Sequence, residues 1–148
     1  MKKETTIYDC SLNELNKIHD RAGNITVIEN NMIFPFSFKR IYYLYDVPGG
    51  TERGGHAHHE MHHFMVAASG AFNVVLDDGK NKKKVELNRP NYGLHIPPGI
   101  WVELINFSSG SISLNMVSTK FDELDYIRNY EDFLMIKNIS TLNNKILA

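Results

Sequence analysis

At 148 residues the chain can bury one substantial hydrophobic core but hardly two, so a single domain over residues 1–148 is expected. A formal net charge of -1 removes any general attraction to nucleic acid or to an anionic membrane, and no apolar run is long enough to cross a bilayer. The one cysteine, Cys10, rules out an intrachain disulfide framework; with a start, Met-Lys-Lys-Glu-Thr-Thr, that lacks the apolar stretch of a signal peptide, it points to the cytoplasm.

In chain order, the segment 5–10 (Thr-Thr-Ile-Tyr-Asp-Cys) has strand character but no obvious hairpin partner nearby. Further short β-rich runs follow at 25–29, 39–46, 63–68, 72–76, 84–87, 94–96, 101–107 and 112–118, separated by Gly, Pro, Asn and Asp. So many short strands predict an all-β sandwich or barrel. Lys80 and Lys82, Lys83 and Lys84 follow Asp77-Asp78-Gly79 and read as a solvated hairpin tip rather than a binding patch. Over 122–137, Leu124, Ile127, Phe133, Leu134 and Ile136 can form the apolar face of a short C-terminal helix, with Asp122 as its cap.

The chemistry concentrates in the run Arg53-Gly-Gly-His-Ala-His-His-Glu-Met-His-His63. His56 and His58 are two apart, so on a strand both imidazoles leave the same face. Such a pair can bind a metal or move protons. With its glycines it resembles the first motif of the cupin superfamily, small jelly-roll barrels: Gly50, His56, His58 and Gly70 fall in register, while the motif's glutamate is replaced by His62 or His63. The second motif is met by Pro97-Pro98-Gly99 and Asn106, but its metal-ligating histidine has become Val102, which has no lone pair to give. A metal held by His56, His58 and His63 with water remains one reading, since three imidazoles suit zinc or iron. A second has the histidines as hydrogen-bonded barrel residues, although two inward imidazoles are costly to bury unless paired. A third is proton transfer without a metal or other cofactor.

The third reading is favoured by a closer resemblance. Lys39-Arg-Ile-Tyr-Tyr-Leu-Tyr-Asp46, Arg53 to His58, Val75-Leu-Asp-Asp-Gly79, Ile100-Trp101 with Glu103, and Asp125-Tyr-Ile-Arg with Tyr130 and Phe133 are similar to the sugar 3,4-ketoisomerase family. The resemblance implies a cupin jelly-roll barrel and a dTDP-linked keto sugar, dTDP-4-keto-6-deoxyglucose, whose ketone moves from C4 to C3 on the way to 3-amino-3,6-dideoxysugars. It also implies a homodimer whose N-terminal strand, here 5–10, crosses to the partner's sheet. His56 matches the family's proposed base, and His58 is expected to orient the sugar, polarise the ketone or relay a proton. Arg53 is the first candidate for the diphosphate. Arg40, Tyr43 and His63 are expected to bind substrate, although Arg40 and Tyr43 differ in parity and cannot both face inward on a regular strand. Ala22 and Val102 occupy positions that line the sugar end in the family; both are small and apolar, which leaves the galacto and gluco products open. Trp101 is expected in the core, and His19 and His95 without a role. A metal-dependent cupin enzyme and a non-catalytic sugar-nucleotide-binding cupin stand as alternatives.

Overall fold

The computed structural model describes residues 4–30 and 36–147. Among the described residues are twelve strands: β1 (Ser11–Glu14), β2 (Ile18–Asp20), β3 (Gly23–Ile25), β4 (Arg40–Leu44), β5 (Arg53–His58), β6 (His63–Ser69), β7 (Phe72–Asp77), β8 (Lys82–Leu87), β9 (Tyr92–Ile96), β10 (Trp101–Ile105), β11 (Ile112–Val117) and β12 (Tyr126–Ile127). Two five-stranded antiparallel sheets, ordered β1-β9-β6-β11-β4 and β12-β5-β10-β7-β8, face one another as a jelly roll of cupin type, and β2-β3 forms a separate hairpin.

Alternation along the strands builds the core between the sheets. Phe72, Val74 and Leu76 of β7 and Leu104 of β10 meet Met65 and Ala67 of β6 and Leu94 and Ile96 of β9. The outer face of the first sheet carries a second apolar cluster of Leu15, Phe64, Val66 and Met116, covered by Ile28, Phe36 and Phe38, which is why β6 is apolar on both faces. Gly93 is required there, because a Cβ would run into the Phe64 ring. The lysine run divides as its chemistry dictates: Lys80 lies in the turn held by the Asp77 and Asp78 carboxylates, whereas Lys82, Lys83 and Lys84 line β8, an edge strand whose charges oppose pairing with another chain.

Three expectations are corrected. Residues 5–10 are not a strand: Thr6 and Asp9 form a capping box around a 3-10 turn, Ile7–Asp9, and the first strand, β1, pairs with β9 of its own chain. An exchanged strand at 5–10 is therefore not what the structure contains. The strand expected at 25–29 is instead the end of the short β2-β3 hairpin. Asp122 caps a 3-10 turn, Glu123–Asp125, and not the helix, leaving Leu124 88 % exposed. Tyr126 and Ile127 then pair with His58 and Ala57, so helix α1 (Tyr130–Leu147) starts only after Asn129, whose side chain accepts from the Asp132 amide.

Helix α1 buttresses the back of β5. Phe133 is fully buried with Ala57, Trp101 and Ile127, Tyr130 donates to Asp77 over 2.6 Å, and the buried Lys137 ammonium donates to the carbonyls of Thr5 and Gly99 at 2.6 and 3.0 Å. Trp101 is thus a core residue, as its sequence context implied.

Candidate active site

A cavity of about 280 Å³ opens between the sheets, with His56 and His58 on one wall. Its shape begins with two glycines. Gly54 and Gly55 have φ of 84° and 75°, which side chains with a Cβ resist, and they produce a bulge: His56 lies opposite Val102 and Gly54 opposite Glu103, with Gly55 as the extra residue. A Cβ at Gly54 would also sit 2.7 Å from the Val102 carbonyl oxygen. The bulge re-aims β5 just ahead of the histidines. Both imidazoles line the cavity, while Ala57 between them turns into the α1 side of the sheet.

The two rings are nearly perpendicular, at 85°, with centroids 5.1 Å apart, and Tyr126 packs against both at 5.2 and 4.3 Å. His58 Nδ1 lies 3.0 Å from Asp125 Oδ2. The same carboxylate accepts from the backbone amides of Glu60 at 2.7 Å and Met61 at 3.3 Å. His58 Nε2 is buried and has no hydrogen-bond partner, in a ring that borders the cavity. Burial, and then the neighbouring His56, pull the His58 pKa down from 6.5 to about 4 against the opposing pull of Asp125. Burial, followed by the Arg128 guanidinium, lowers that of His56. Both imidazoles are therefore neutral at pH 7 and can accept a proton.

His63 occupies the floor of the cavity in a different state. Its Nε2 lies 2.7 Å from Asn115 Oδ1 and 3.4 Å from the Tyr42 hydroxyl, and burial lowers its pKa to about 3. As a donor to Asn115 it is a neutral ring already satisfied at that nitrogen. The metal reading with His56, His58 and His63 is not supported by this arrangement: among the described residues no three His, Cys, Asp or Glu side chains converge to hold a metal ion. Val102 lines the wall beside them.

The expected substrate-binding residues separate by strand parity. Arg40 faces the cavity; its guanidinium lies 5.5 Å from the Tyr42 ring and 5.6 Å from the Phe121 ring, Nη2 is 3.4 Å from Met61 Sδ, and Nε is buried without a partner. Arg53 is an exposed residue bordering the cavity. Tyr43 is corrected: it points away from the cavity, 60 % exposed, and packs on Tyr45 with ring centroids 5.6 Å apart. The β4 tyrosine that lines the cavity is Tyr42, in phase with Arg40. Ala22 sits in the exposed β2-β3 turn and does not line this cavity.

Three residues without a predicted role complete the site. Asp125 backs His58, Tyr126 covers both imidazoles, and Arg128 stacks 4.2 Å over Tyr126 while its fork grips Glu123 at 2.5 and 3.0 Å. Tyr126 and Arg128 share one parity, which was a readable sign of a common face; Asp125 is 67 positions from His58, beyond any local pattern.

A cupin jelly roll whose paired inward histidines are neutral, one of them backed by a carboxylate, defines a class of barrel suited to proton transfer. Within it, the chain belongs to the family described as "FdtA: WxcM-like, C-terminal", which matches residues 8–138. It is 40 % identical over 117 residues, 79 % of this chain and 84 % of the relative, to the TDP-4-oxo-6-deoxy-α-D-glucose-3,4-oxoisomerase of Aneurinibacillus thermoaerophilus. Among solved structures it is similar to a 3,4-ketoisomerase from Helicobacter canadensis (TM-score 0.85, 39 % identity, 88 % of this chain and 98 % of that one). It is also similar to a histidine-to-asparagine variant of the 3,4-ketoisomerase QdtA from Thermoanaerobacterium thermosaccharolyticum in complex with TDP-4-keto-6-deoxyglucose (TM-score 0.87, 33 % identity, 89 % and 96 %).

Proposed function

We propose that this protein is a dTDP-4-keto-6-deoxyglucose 3,4-ketoisomerase, moving the sugar ketone from C4 to C3 in the biosynthesis of 3-amino-3,6-dideoxysugars. The observation that carries the reading is the pair of neutral, cavity-facing imidazoles His56 and His58, one of them with a buried ring nitrogen left unpartnered, in a chain of the FdtA family. A ketone at C4 acidifies the C3–H bond, and neutral histidine is a base matched to that step near neutral pH.

In this reading His56 takes the C3 proton, and the C–H electrons form a C3–C4 double bond as O4 becomes anionic. His58 Nε2 accepts the O3 proton and delivers it to O4. The O3 electrons then close the C3 carbonyl, and His56, whose proton exchanges with solvent, delivers a proton to C4. No proton or electron is gained or lost. Arg40, whose Nε lacks a partner, and Arg53 at the rim supply cations for the diphosphate and the developing enolate oxygen. His63, fixed by Asn115, closes the sugar end. The reaction uses no cofactor on this account.

The test is incubation with dTDP-4-keto-6-deoxyglucose in D₂O together with a 3-aminotransferase, followed by proton NMR. Deuterium at C4 of a 3-amino sugar is expected, and the spectrum reads the C4 configuration. Absence of both exchange and a 3-keto product would remove the proposal, and tight TDP binding without turnover would favour a binding module instead. The same reading has the enzyme in the cytoplasm, where the free thiol Cys10 is compatible with reducing conditions, and no helix among the described residues is long and apolar enough to cross a membrane. It also has the enzyme as a homodimer, supported by the edge strand β4, which exposes Ile41 and Tyr43, followed by Tyr45. Light scattering after size exclusion is expected to give twice the 17.0 kDa chain mass.

A further inference from the structure

An imidazole hydrogen-bonded to a carboxylate through one nitrogen has its tautomer decided for it. Deprotonated Asp125 can only accept, so it selects the form of His58 with the proton on Nδ1 and the lone pair on Nε2. The carboxylate is itself fixed by the amides of Glu60 and Met61 and by its place beside β12, which pairs with β5 at His58. The Gly99 amide donates to the His58 carbonyl at 2.9 Å, which holds the backbone from the other side. His56, Arg40, Tyr126 and His63 are the other titratable or charged groups around this ring. Of these only Asp125 hydrogen-bonds to it, and Nε2 has no partner. A buried acceptor without a partner costs stability, and this one belongs to a ring that lines the cavity where a substrate would sit.

We propose that Asp125 is the positioning residue of the isomerase site, holding His58 with its Nε2 lone pair aimed at the sugar hydroxyls so that His58 relays the oxygen-bound proton while His56 handles the carbon-bound one. This rests on the ketoisomerase reading for its reaction, but the tautomer it assigns does not. Asp125 touches no reacting atom. It acts by removing the alternative tautomer, which would present an N–H where an acceptor is needed, and by stabilising the imidazolium that forms as His58 carries the proton.

The experiment uses the full chain with ¹⁵N-labelled histidine, wild type and Asp125→Asn. In the variant the shorter contact keeps the amide oxygen at Glu60 N and turns the NH₂ toward His58 Nδ1. Ring-nitrogen NMR at pH 7 is expected to show His58 protonated at Nδ1 in wild type and at Nε2 in Asp125→Asn. With dTDP-4-keto-6-deoxyglucose in D₂O, kcat is expected to fall about 10²–10⁴-fold in the variant with KM within about threefold. Deuterium exchange at C3 should fall less, so the ratio of exchange to isomerisation rises at least about tenfold, a signature that simple loosening of the fold would not give. A wild-type His58 protonated at Nε2 overturns the proposal, whatever the variant does. So does an Asp125→Asn enzyme whose kcat and exchange ratio match wild type. If wild type turns over no keto sugar, the isomerase reading falls and the NMR result alone decides the assignment of Asp125.

Discussion

His58 and His63 are both buried on the lining of one cavity, and burial holds both neutral, yet they are built for different ends. His63 gives its Nε2 to Asn115 at 2.7 Å with the Tyr42 hydroxyl nearby, whereas His58 is anchored through Nδ1 to Asp125 and leaves Nε2 open. A polar group satisfied within the protein stabilises the fold; one satisfied on a single side, in a ring that lines a cavity, is left for a ligand to satisfy. Burial alone does not distinguish the two rings, and the unpartnered nitrogen does.

The sharpest way to break this comparison is to remove each ring. His56→Asn and His58→Asn are expected to lower kcat by about 10³-fold, close to 4 kcal/mol of transition-state stabilisation, with little loss of stability. His63→Asn is expected to reduce stability more than turnover, measured by urea unfolding alongside product assays. Equal kinetic losses for His58→Asn and His63→Asn would erase the distinction.

Acid should then separate fold from activity. The folded-state pKa values of His63 (about 3) and His58 (about 4) lie below the ordinary 6.5, so the unfolded chain binds protons first as pH falls. The stability contributed by keeping these rings neutral is complete above pH 6.5 and is lost progressively toward pH 4 and below; His63 alone accounts for a loss of about 3 kcal/mol by pH 4.5. Denaturant unfolding at pH 7 and 4.5 checks this. Because the His56 pKa is also lowered, the acid limb of kcat/KM is expected below pH 6.5 rather than at it. An acid limb above 6.5 would contradict a buried neutral base.

Smaller effects follow on the partners. Asn115→Ala leaves His63 Nε2 without its 2.7 Å partner and is expected to cost about 1–3 kcal/mol of stability with kcat changed less than about threefold. Arg40→Met removes a guanidinium whose Nε already lacks a partner, so stability should hold or rise while KM increases about tenfold, near 1.4 kcal/mol.

What the sequence disclosed follows the range of each interaction. The barrel was legible because alternation and turn residues are local, and the His pair because a spacing of two puts side chains on one face. Val102, at the register position of the second motif's histidine, lies against the cavity. The segment 5–10 was misread because Thr6-x-x-Asp9 is itself a capping signal, which outweighs the β propensity of Thr-Thr-Ile-Tyr. Asp122 is a cap, as expected, but of the 3-10 turn Glu123–Asp125, since the two-residue strand Tyr126–Ile127 that precedes helix α1 is set by pairing with β5. Asp125 could not be assigned: its partners, Glu60, Met61 and His58, lie 64 to 67 positions earlier and meet it only once β12 has docked.

The finest test lies in two adjacent tyrosines. Parity made Arg40 and Tyr43 incompatible as joint cavity residues, and the structure places Arg40 with Tyr42 inside and Tyr43 with Tyr45 outside. Tyr42→Phe removes one hydroxyl 3.4 Å from His63, a long contact worth about 0.5–1 kcal/mol at most, and is expected to shift KM less than about fivefold. Tyr43→Ser, 60 % exposed in the single chain, should leave kcat and KM within error wherever the dimer stays assembled. A kinetic defect in Tyr43→Ser that tracks protein concentration would mean that this outer face meets a second copy and that assembly, not cavity chemistry, transmits the change. A defect independent of concentration would instead contradict the strand parity from which the cavity was built.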